Sequence, residues 1–158
     1  MKFQQLNRDD GDKVFIICRN ISAATQSKGA ALYFDDVEFS DGNAVSGART
    51  SHYWHFAGIN AQALSDDSYG LVQVYGVSSA YCVLASSASA AASGEQLVAV
   101  TSQIYLKQYA STDVFTATSS ASWTGGTPWN FVTLMEEFAS AASATSSASL
   151  KQVFIRSL

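Results

Sequence analysis

The stretch that most constrains the fold is a polar turn followed by an alternating strand, between Ser65 and Val77. The turn signal is Ser65-Asp66-Asp67-Ser68, where short polar side chains bond to nearby backbone and interrupt regular structure. Successive side chains of a strand point to opposite faces. The next residues fit this rule, with small apolar even positions and larger odd positions: Gly70, Val72, Val74 and Gly76 against Tyr69, Leu71, Gln73 and Tyr75. The pattern predicts a central β-strand covered on both sides, whose tyrosine-bearing face also suits a half-wet subunit contact.

Most of the remaining chain predicts short strands separated by turns. β-Branched and aromatic residues favour strands at 13–19, 29–34, 80–84, 95–100, 103–109 and 151–156. The segment 130–142 is ambiguous, because Phe131, Leu134, Met135 and Phe138 have helical spacing whereas 131–134 also suits a strand. No internal repeat of fixed period is apparent. Together these elements predict an all-β fold with little helix, an antiparallel β-sandwich or barrel (jelly-roll-like) in a single domain.

Composition narrows the classes of function. The chain has 158 residues, enough for one domain with a core, and we expect an N-terminal arm at 1–12 and a β-rich domain at 13–158. Only 14% of residues are charged, which favours assembly, and the net charge of -4 argues against nucleic-acid partners. No segment predicts a membrane span or a signal peptide, so we expect folding in a reducing cytoplasm with Cys18 and Cys82 as buried thiols.

No set of residues predicts catalysis or a cofactor. His52 and His55 are three apart, which on a strand places them on opposite faces, and no cysteine lies near them to complete a zinc site. The acidic loop 35–43 does not have the spacing of a calcium-binding loop. The aromatic segment 123–129 suits either hairpin packing or contact with a sugar or a partner protein. We therefore expect a protein that is not an enzyme, with no cofactor and no metal.

Several ordered phrases resemble the small β-rich capsid decoration, or cement, proteins of tailed bacteriophages. The most specific are Phe56-Ala57-Gly58-Ile59 and Tyr69-Gly70-Leu71-Val72-Gln73-Val74-Tyr75-Gly76. Similar phrases occur along nearly the whole chain, at 17–22, 28–35, 41–45, 94–98 and 151–158. None of them is a catalytic fingerprint. The Ala/Ser run at 85–93 and the segment 123–129 depart from the family pattern.

The resemblance implies a virion protein on the capsid exterior, made in the host cytoplasm and bound as a homotrimer to the major capsid protein. It also favours a strand over a helix at 131–138. On this view the capsid or subunit interface contains mainly aromatic anchors and residues of the N-terminal arm. The predicted interface residues are Phe3, Leu6, Arg8, Trp54, Tyr69, Gln73, Tyr75, Trp123 and Trp129. The alternative is a phage tail, fibre or receptor-binding module that uses the segment 123–129.

Overall fold

The computed structural model is all-β over the residues it describes, which are 12–35, 43–47, 55–84, 91–100, 103–109, 115–116, 122–123, 132–137 and 148–157. No helix occurs in these ranges, and the predicted fold class is confirmed. The strands are β1 Val14–Asn20, β2 Ala31–Phe34, β3 Ala44–Ser46, β4 Phe56–Asn60, β5 Tyr69–Val83, β6 Gln96–Ala99, β7 Leu106–Gln108, β8 Phe115–Thr116, β9 Ser122–Trp123, β10 Val132–Leu134 and β11 Ser149–Arg156.

Strand β5 pairs with strands on both sides of the large sheet, namely β1 and β4 and also β7 and β11. It is one continuous strand of 15 residues, so the prediction of separate strands at 69–77 and 80–84 is wrong. Its small face is confirmed, since Gly70, Val72, Val74 and Gly76 are all buried. Gly76 has a φ of 96°, a left-handed conformation that bends the strand without ending it. The predicted gap falls at Ser78 and Ser79, which continue the strand because they pair with Val153 and Gln152 of β11.

The N-terminal part of β5 closes a first barrel with β1 to β4. Around the barrel the order is β1-β3-β2-β4-β5, and β5 pairs back to β1 in antiparallel register. One pair, β1 with β3, is parallel, with Arg19 opposite Ala44 and Asn20 opposite Val45. The sheet is therefore mixed rather than purely antiparallel. Closure matters because it leaves no unpaired sheet edge in this ring.

The C-terminal part of β5 belongs to a second ring of five strands. From β5 the order runs β11-β10-β6-β7, and β7 returns to β5 through a second parallel pair, Cys82 with Leu106 and Val83 with Lys107. The ambiguous segment contributes β10, so the strand that the resemblance favours is confirmed over 132–134. β8 and β9 form a separate two-stranded sheet.

The two rings have the same topology and the same register. In each, the first strand pairs in parallel with the third, the second lies between the third and fourth, and the fifth pairs with the fourth and first. Ile59 faces Ala31 and Gln73 in the first ring, as Thr133 faces Gln96 and Phe154 in the second. By these registers the equivalent residues are Asn20 and Cys82, Ala31 and Gln96, Val45 and Leu106, Asn60 and Leu134, and Val72 and Val153.

A turn before the second strand of each ring repeats as well. The Gly29 turn (Ser27 to Ala30) and the Gly94 turn (Ala92 to Glu95) both place glycine at positive φ, 86° and 93°. The amide of Ala30 donates to Ser27 O at 3.2 Å, and that of Glu95 to Ala92 O at 3.3 Å. The spacing between equivalent residues changes from strand to strand, because the connecting loops differ in length. A duplication of this kind leaves no fixed period for sequence analysis to detect.

The buried cores follow the duplication. Cys18, Leu32, Val45 and Val72 pack together inside the first barrel, and their equivalents, Ala80, Leu97, Leu106 and Val153, belong to the core of the second. Ala31, Tyr33, Phe56 and Ile59 lie on the other face of β2 and β4 and join this second core. Tyr33 contacts Phe56 edge to face, with ring centroids 6.2 Å apart. The second cluster therefore contains side chains from both barrels and holds them together.

We expect Gly76→Ala to destabilise the fold more than Gly94→Ala. Both glycines have positive φ, which costs a side chain about 1–2 kcal/mol. A Cβ at Gly76 would also collide with the Asp12 carbonyl oxygen, whereas at Gly94 nothing lies within 4 Å. Urea unfolding of the two variants measures the difference. Equal losses of stability would show that the close approach at Gly76 is unimportant.

Candidate interaction surface

Among the described residues, four of the seven exposed large hydrophobic side chains lie together on the outer face of β1 and β5 in the first barrel. We call this cluster the β1–β5 patch and define it as Phe15, Ile17, Tyr69 and Leu71. Ile17 lies directly opposite Leu71 in the antiparallel ladder, so the two side chains share one face. The exposed fractions are 41% for Phe15, 65% for Ile17, 66% for Tyr69 and 41% for Leu71. Clusters of this kind mark interaction sites more often than single exposed apolar residues do.

An ion pair borders the patch beside Tyr69. Arg19 lies opposite Tyr69 in the ladder, and its guanidinium donates to Asp67 Oδ1 at 2.8 Å. Asp66 fixes the adjoining loop by accepting from the Ala23 amide at 2.9 Å. The predicted turn at 65–68 is confirmed, with Asp67 at a φ of 59°. The Arg19 cation thus lies at the edge of the patch, and the Asp67 carboxylate partly neutralises its charge.

Behind the patch, buried amides fix the loops that carry it. Asn20 is fully buried, and its Nδ2 donates to Ala24 O at 2.8 Å and to Leu64 O at 3.0 Å. Gln26 and Leu64 exchange two backbone hydrogen bonds of 2.8 and 2.9 Å. Such networks hold polar loops in a single conformation because an unmade buried hydrogen bond is costly. The patch is thus presented by a rigid support.

Two of the predicted interface residues lie on the outer face of β5. Tyr69 is in the patch, as described above. Tyr75 is half-buried and packs edge to face against Phe154 of β11, with ring centroids 5.4 Å apart. Tyr75 therefore joins the outer faces of the two barrels, and only part of its ring is open to a partner.

Gln73 lies in the interior, so the prediction of a strand covered on both sides is confirmed at this position, and the side chain is not open to a partner as the predicted interface requires. It is 4% exposed. Its Nε2 donates to Tyr75 O at 3.1 Å and to Val77 O at 3.0 Å, the carbonyls on either side of Gly76. The residue is paired on both edges of β5, with Phe15 and with Ile59. Strict alternation fails here because β5 passes between the two barrels, so both of its faces are covered at this point.

The structure does not test the remaining predicted interface residues. Phe3, Leu6, Arg8, Trp54 and Trp129 lie outside the described residues. Trp123 is in β9, where only the backbone is described. The patch members Phe15, Ile17 and Leu71 are not among the predicted interface residues, although Phe15 and Ile17 alternate with Ile16 and Cys18 in the strand predicted at 13–19. A run of five apolar residues gives no indication of which face is open.

The second barrel provides an internal reference for the patch. By the shared register, the positions of Phe15, Ile17, Tyr69 and Leu71 are occupied there by Val77, Ser79, Leu150 and Gln152. The central pair, Ile17 opposite Leu71, becomes Ser79 opposite Gln152. The barrel fold therefore tolerates polar residues at these positions. The apolar pair in the first barrel is not required by the topology.

Both cysteines are buried and unpaired, as predicted. Burial raises the pKa of Cys18 to about 11. Burial, with a smaller effect of Glu136 that Lys151 opposes, raises the pKa of Cys82 to about 12. Burial also raises the pKa of Tyr33. Raised values keep the thiols protonated and unreactive at neutral pH. They belong to the cores of the barrels rather than to a reactive site.

No metal-binding group appears in the part of the chain that the structure describes, where no cluster of three or more His, Cys, Asp or Glu residues occurs. His55 is described, whereas His52 is not. Among the described ranges there is also no helix long and apolar enough to span a membrane.

Comparison with models of known protein families and with curated proteins finds no match to this chain.

Gln73→Ala should lower the free energy of unfolding by about 1–3 kcal/mol, because two partly buried carbonyls lose a shared donor. The matched control is Gln152→Ala, at an exposed position of β11, where we expect little change. Chemical unfolding followed by tryptophan fluorescence measures both. Similar small effects would mean that the Gln73 amide does not stabilise the bend.

The thiols should react with a disulfide reagent only after unfolding. At pH 8 the native protein should label slowly and the urea-unfolded protein rapidly at both cysteines. The folded pKa values exceed the unfolded value of 9.0, so the folded protein holds the thiol protons more tightly than the unfolded protein. The contribution of the thiols to the free energy of unfolding is therefore fully present below pH 9 and is lost as pH rises through about 11 to 12. Rapid labelling of the native protein would contradict the burial of these residues.

Proposed function

We propose that this chain is a non-enzymatic capsid decoration, or cement, protein of a tailed bacteriophage. It binds the outside of the major capsid protein lattice as a trimer and stabilises the head. The observation that carries the proposal is the β1–β5 patch, an apolar face held out on a closed barrel. The ordered strand and turn phrases resemble those of capsid decoration proteins, and this resemblance indicates the major capsid protein as the partner. The location that follows is the virion exterior, with folding in the host cytoplasm.

A rigid double barrel suits this role for a thermodynamic reason. A protein that binds the assembled lattice more tightly than its separated subunits stabilises the lattice by mass action, without any reaction. Binding by a preformed surface costs little conformational entropy. Several copies that engage neighbouring sites together raise the effective concentration of each contact. Weak individual contacts are then sufficient for retention on the particle.

The composition supports assembly in the same way. With 14% charged residues and a net charge of -4, the surface lacks the basic density that nucleic-acid binding requires. Low surface charge also reduces the repulsion between copies that pack closely on a lattice. The proposed partners are therefore proteins: the major capsid protein and further copies of the chain itself.

Quantitative mass spectrometry of purified particles tests the proposal. We expect this protein at a copy number comparable with that of the major capsid protein. A low copy number, comparable with that of tail proteins, would instead indicate a tail, fibre or receptor-binding module. Absence from the particle would overturn both assignments.

Heating the particles supplies a test of the cement role itself. Particles lacking the protein should release DNA at a lower temperature, and adding the purified protein should restore the release temperature. An equal amount of an unrelated protein of similar charge is the control. Particles that contain many copies and yet show no shift would carry a decoration protein that does not stabilise the head.

A further inference from the structure

The β1–β5 patch is nearly symmetric about its own centre. Ile17 and Leu71 lie opposite each other in the antiparallel ladder. On each strand an aromatic residue precedes this central pair by two positions, Phe15 on β1 and Tyr69 on β5. Residues two apart lie on the same face of a strand, and antiparallel strands run in opposite directions. The patch therefore has an aliphatic centre with one aromatic side chain toward each end.

The charges next to the two ends of the patch are opposite in sign. The described residues that adjoin the Tyr69 end are two carboxylates and one guanidinium, Asp66, Asp67 and Arg19. Those that adjoin the Phe15 end are two cations and one carboxylate, Lys13, Arg156 and Asp12. The first set has an excess of one negative charge and the second an excess of one positive charge. The face is thus apolar in the middle and polarised along its strands.

The barrel topology does not require this arrangement. In the second barrel the central positions hold Ser79 opposite Gln152. The four exposed apolar side chains of the patch, on a protein with only 14% charged residues, favour unspecific association unless a partner covers them. A two-fold contact between identical faces covers the patch on both partners and closes the assembly at two copies. A head-to-tail contact instead leaves one face open unless a ring closes.

We infer that in the free protein the β1–β5 patch of one copy is covered by the β1–β5 patch of a second copy. The two-fold axis lies between the two faces and crosses the strands at the Ile17–Leu71 pair. The strands of the two copies then run antiparallel, and the Lys13 end of each copy faces the turn of Asp66 and Asp67 in the other. An axis along the strands would bring ends of like charge together, which is unfavourable.

The size of the patch fits such a contact. Its four side chains expose on the order of 400 Å² of apolar surface. Since about 57% of a typical interface is apolar, this corresponds to roughly 700 Å² on each partner, near the size of a standard specific interface. Sheets that pack face to face lie about 10 Å apart, a gap that side chains of this size fill. The contact is thus large enough to be specific and small enough to depend on protein concentration.

The pairing concerns the free protein and does not rest on the proposed function. In the proposed function the same patch faces the capsid lattice, so each copy uses it for one partner at a time. By mass action the pair competes with docking, and the lattice must bind each copy more tightly than the copies bind each other. The proposed trimer then forms on the lattice, after the pair has separated.

Two double variants test whether the patch holds the pair together. The patch variant combines Ile17→Ser with Leu71→Gln, the residues that the second barrel has at these positions. The control variant combines Met135→Gln with Leu150→Gln, which removes two apolar side chains that are 46% and 53% exposed and lie outside the patch. Circular dichroism and thermal unfolding verify that each protein is folded.

Sedimentation equilibrium over a range of concentrations gives the masses. The unmodified protein and the control variant should rise from the 16.8 kDa of one chain to twice that mass and no further. The patch variant should associate at least about thirtyfold more weakly, as expected for loss of the central anchors.

A nitroxide label on Asp12→Cys reports the orientation of the pair. Asp12 is exposed and lies five residues before Ile17, and the buried thiols of Cys18 and Cys82 should label slowly. With the axis across the strands, the two labelled positions lie on opposite sides of it, roughly 30 Å apart. With the axis along the strands they would lie at the same end, within about 15 Å. Double electron–electron resonance measures the distance.

Four results would overturn the inference. They are an unmodified protein that stays monomeric at every concentration, a mass that rises beyond two chains, self-association that the patch variant leaves unchanged, and labels within about 15 Å of each other. The copy number on purified particles is measured independently. Pairing of the free protein together with its absence from particles would contradict the proposed function alone, whereas a monomer that is abundant on particles would contradict the pairing alone.

Discussion

The fold depends on the bend at Gly76, which allows a single strand to serve two barrels. The residues of β5 up to Tyr75 pair with β1 and β4, and those from Tyr75 onward pair with β11 and β7. The φ of 96° and the close approach of the Asp12 carbonyl leave no room for a side chain at this position. Gln73 adds hydrogen bonds to the carbonyls on both sides. The two barrels share this strand and a cluster of buried apolar side chains. If either barrel unfolds, it therefore exposes apolar side chains of the other.

Comparison of the two barrels distinguishes positions where the fold requires an apolar residue from positions where it accepts a polar one. Interior positions hold apolar residues in both barrels, for example Leu32 and Leu97, or Val45 and Leu106. The outer face of the strand pair differs, with Ile17 and Leu71 in one barrel and Ser79 and Gln152 in the other. The exposed parts of these apolar side chains add little to the stability of the barrel that carries them, because they are not removed from water. Their presence in one copy only is therefore better explained by an interaction than by folding.

Sequence reasoning succeeded where the signal is local and failed where it depends on tertiary contacts. Alternation at 69–77 and β-branched runs predicted the strands and the all-β class, since the period of two arises within one strand. The burial of Gln73 depends on β5 passing between two barrels, which no local pattern encodes. The duplication was hidden because loops of unequal length separate equivalent residues. At 131–134 helical spacing competed with a strand, and tertiary pairing with β6 and β11 decided it.

The most direct test of this description is a solution NMR measurement of the two contacts that close the rings. Cross-strand backbone contacts should join Asn20 to Val45 in the first barrel and Cys82 to Leu106 in the second. The account predicts both, with similar intensity and similar protection of the neighbouring amides from hydrogen exchange. If the first contact is present and the second is absent, β6, β7, β10 and β11 form an open extension. The equivalence of the two barrels, and the interaction surface deduced from it, would then be wrong.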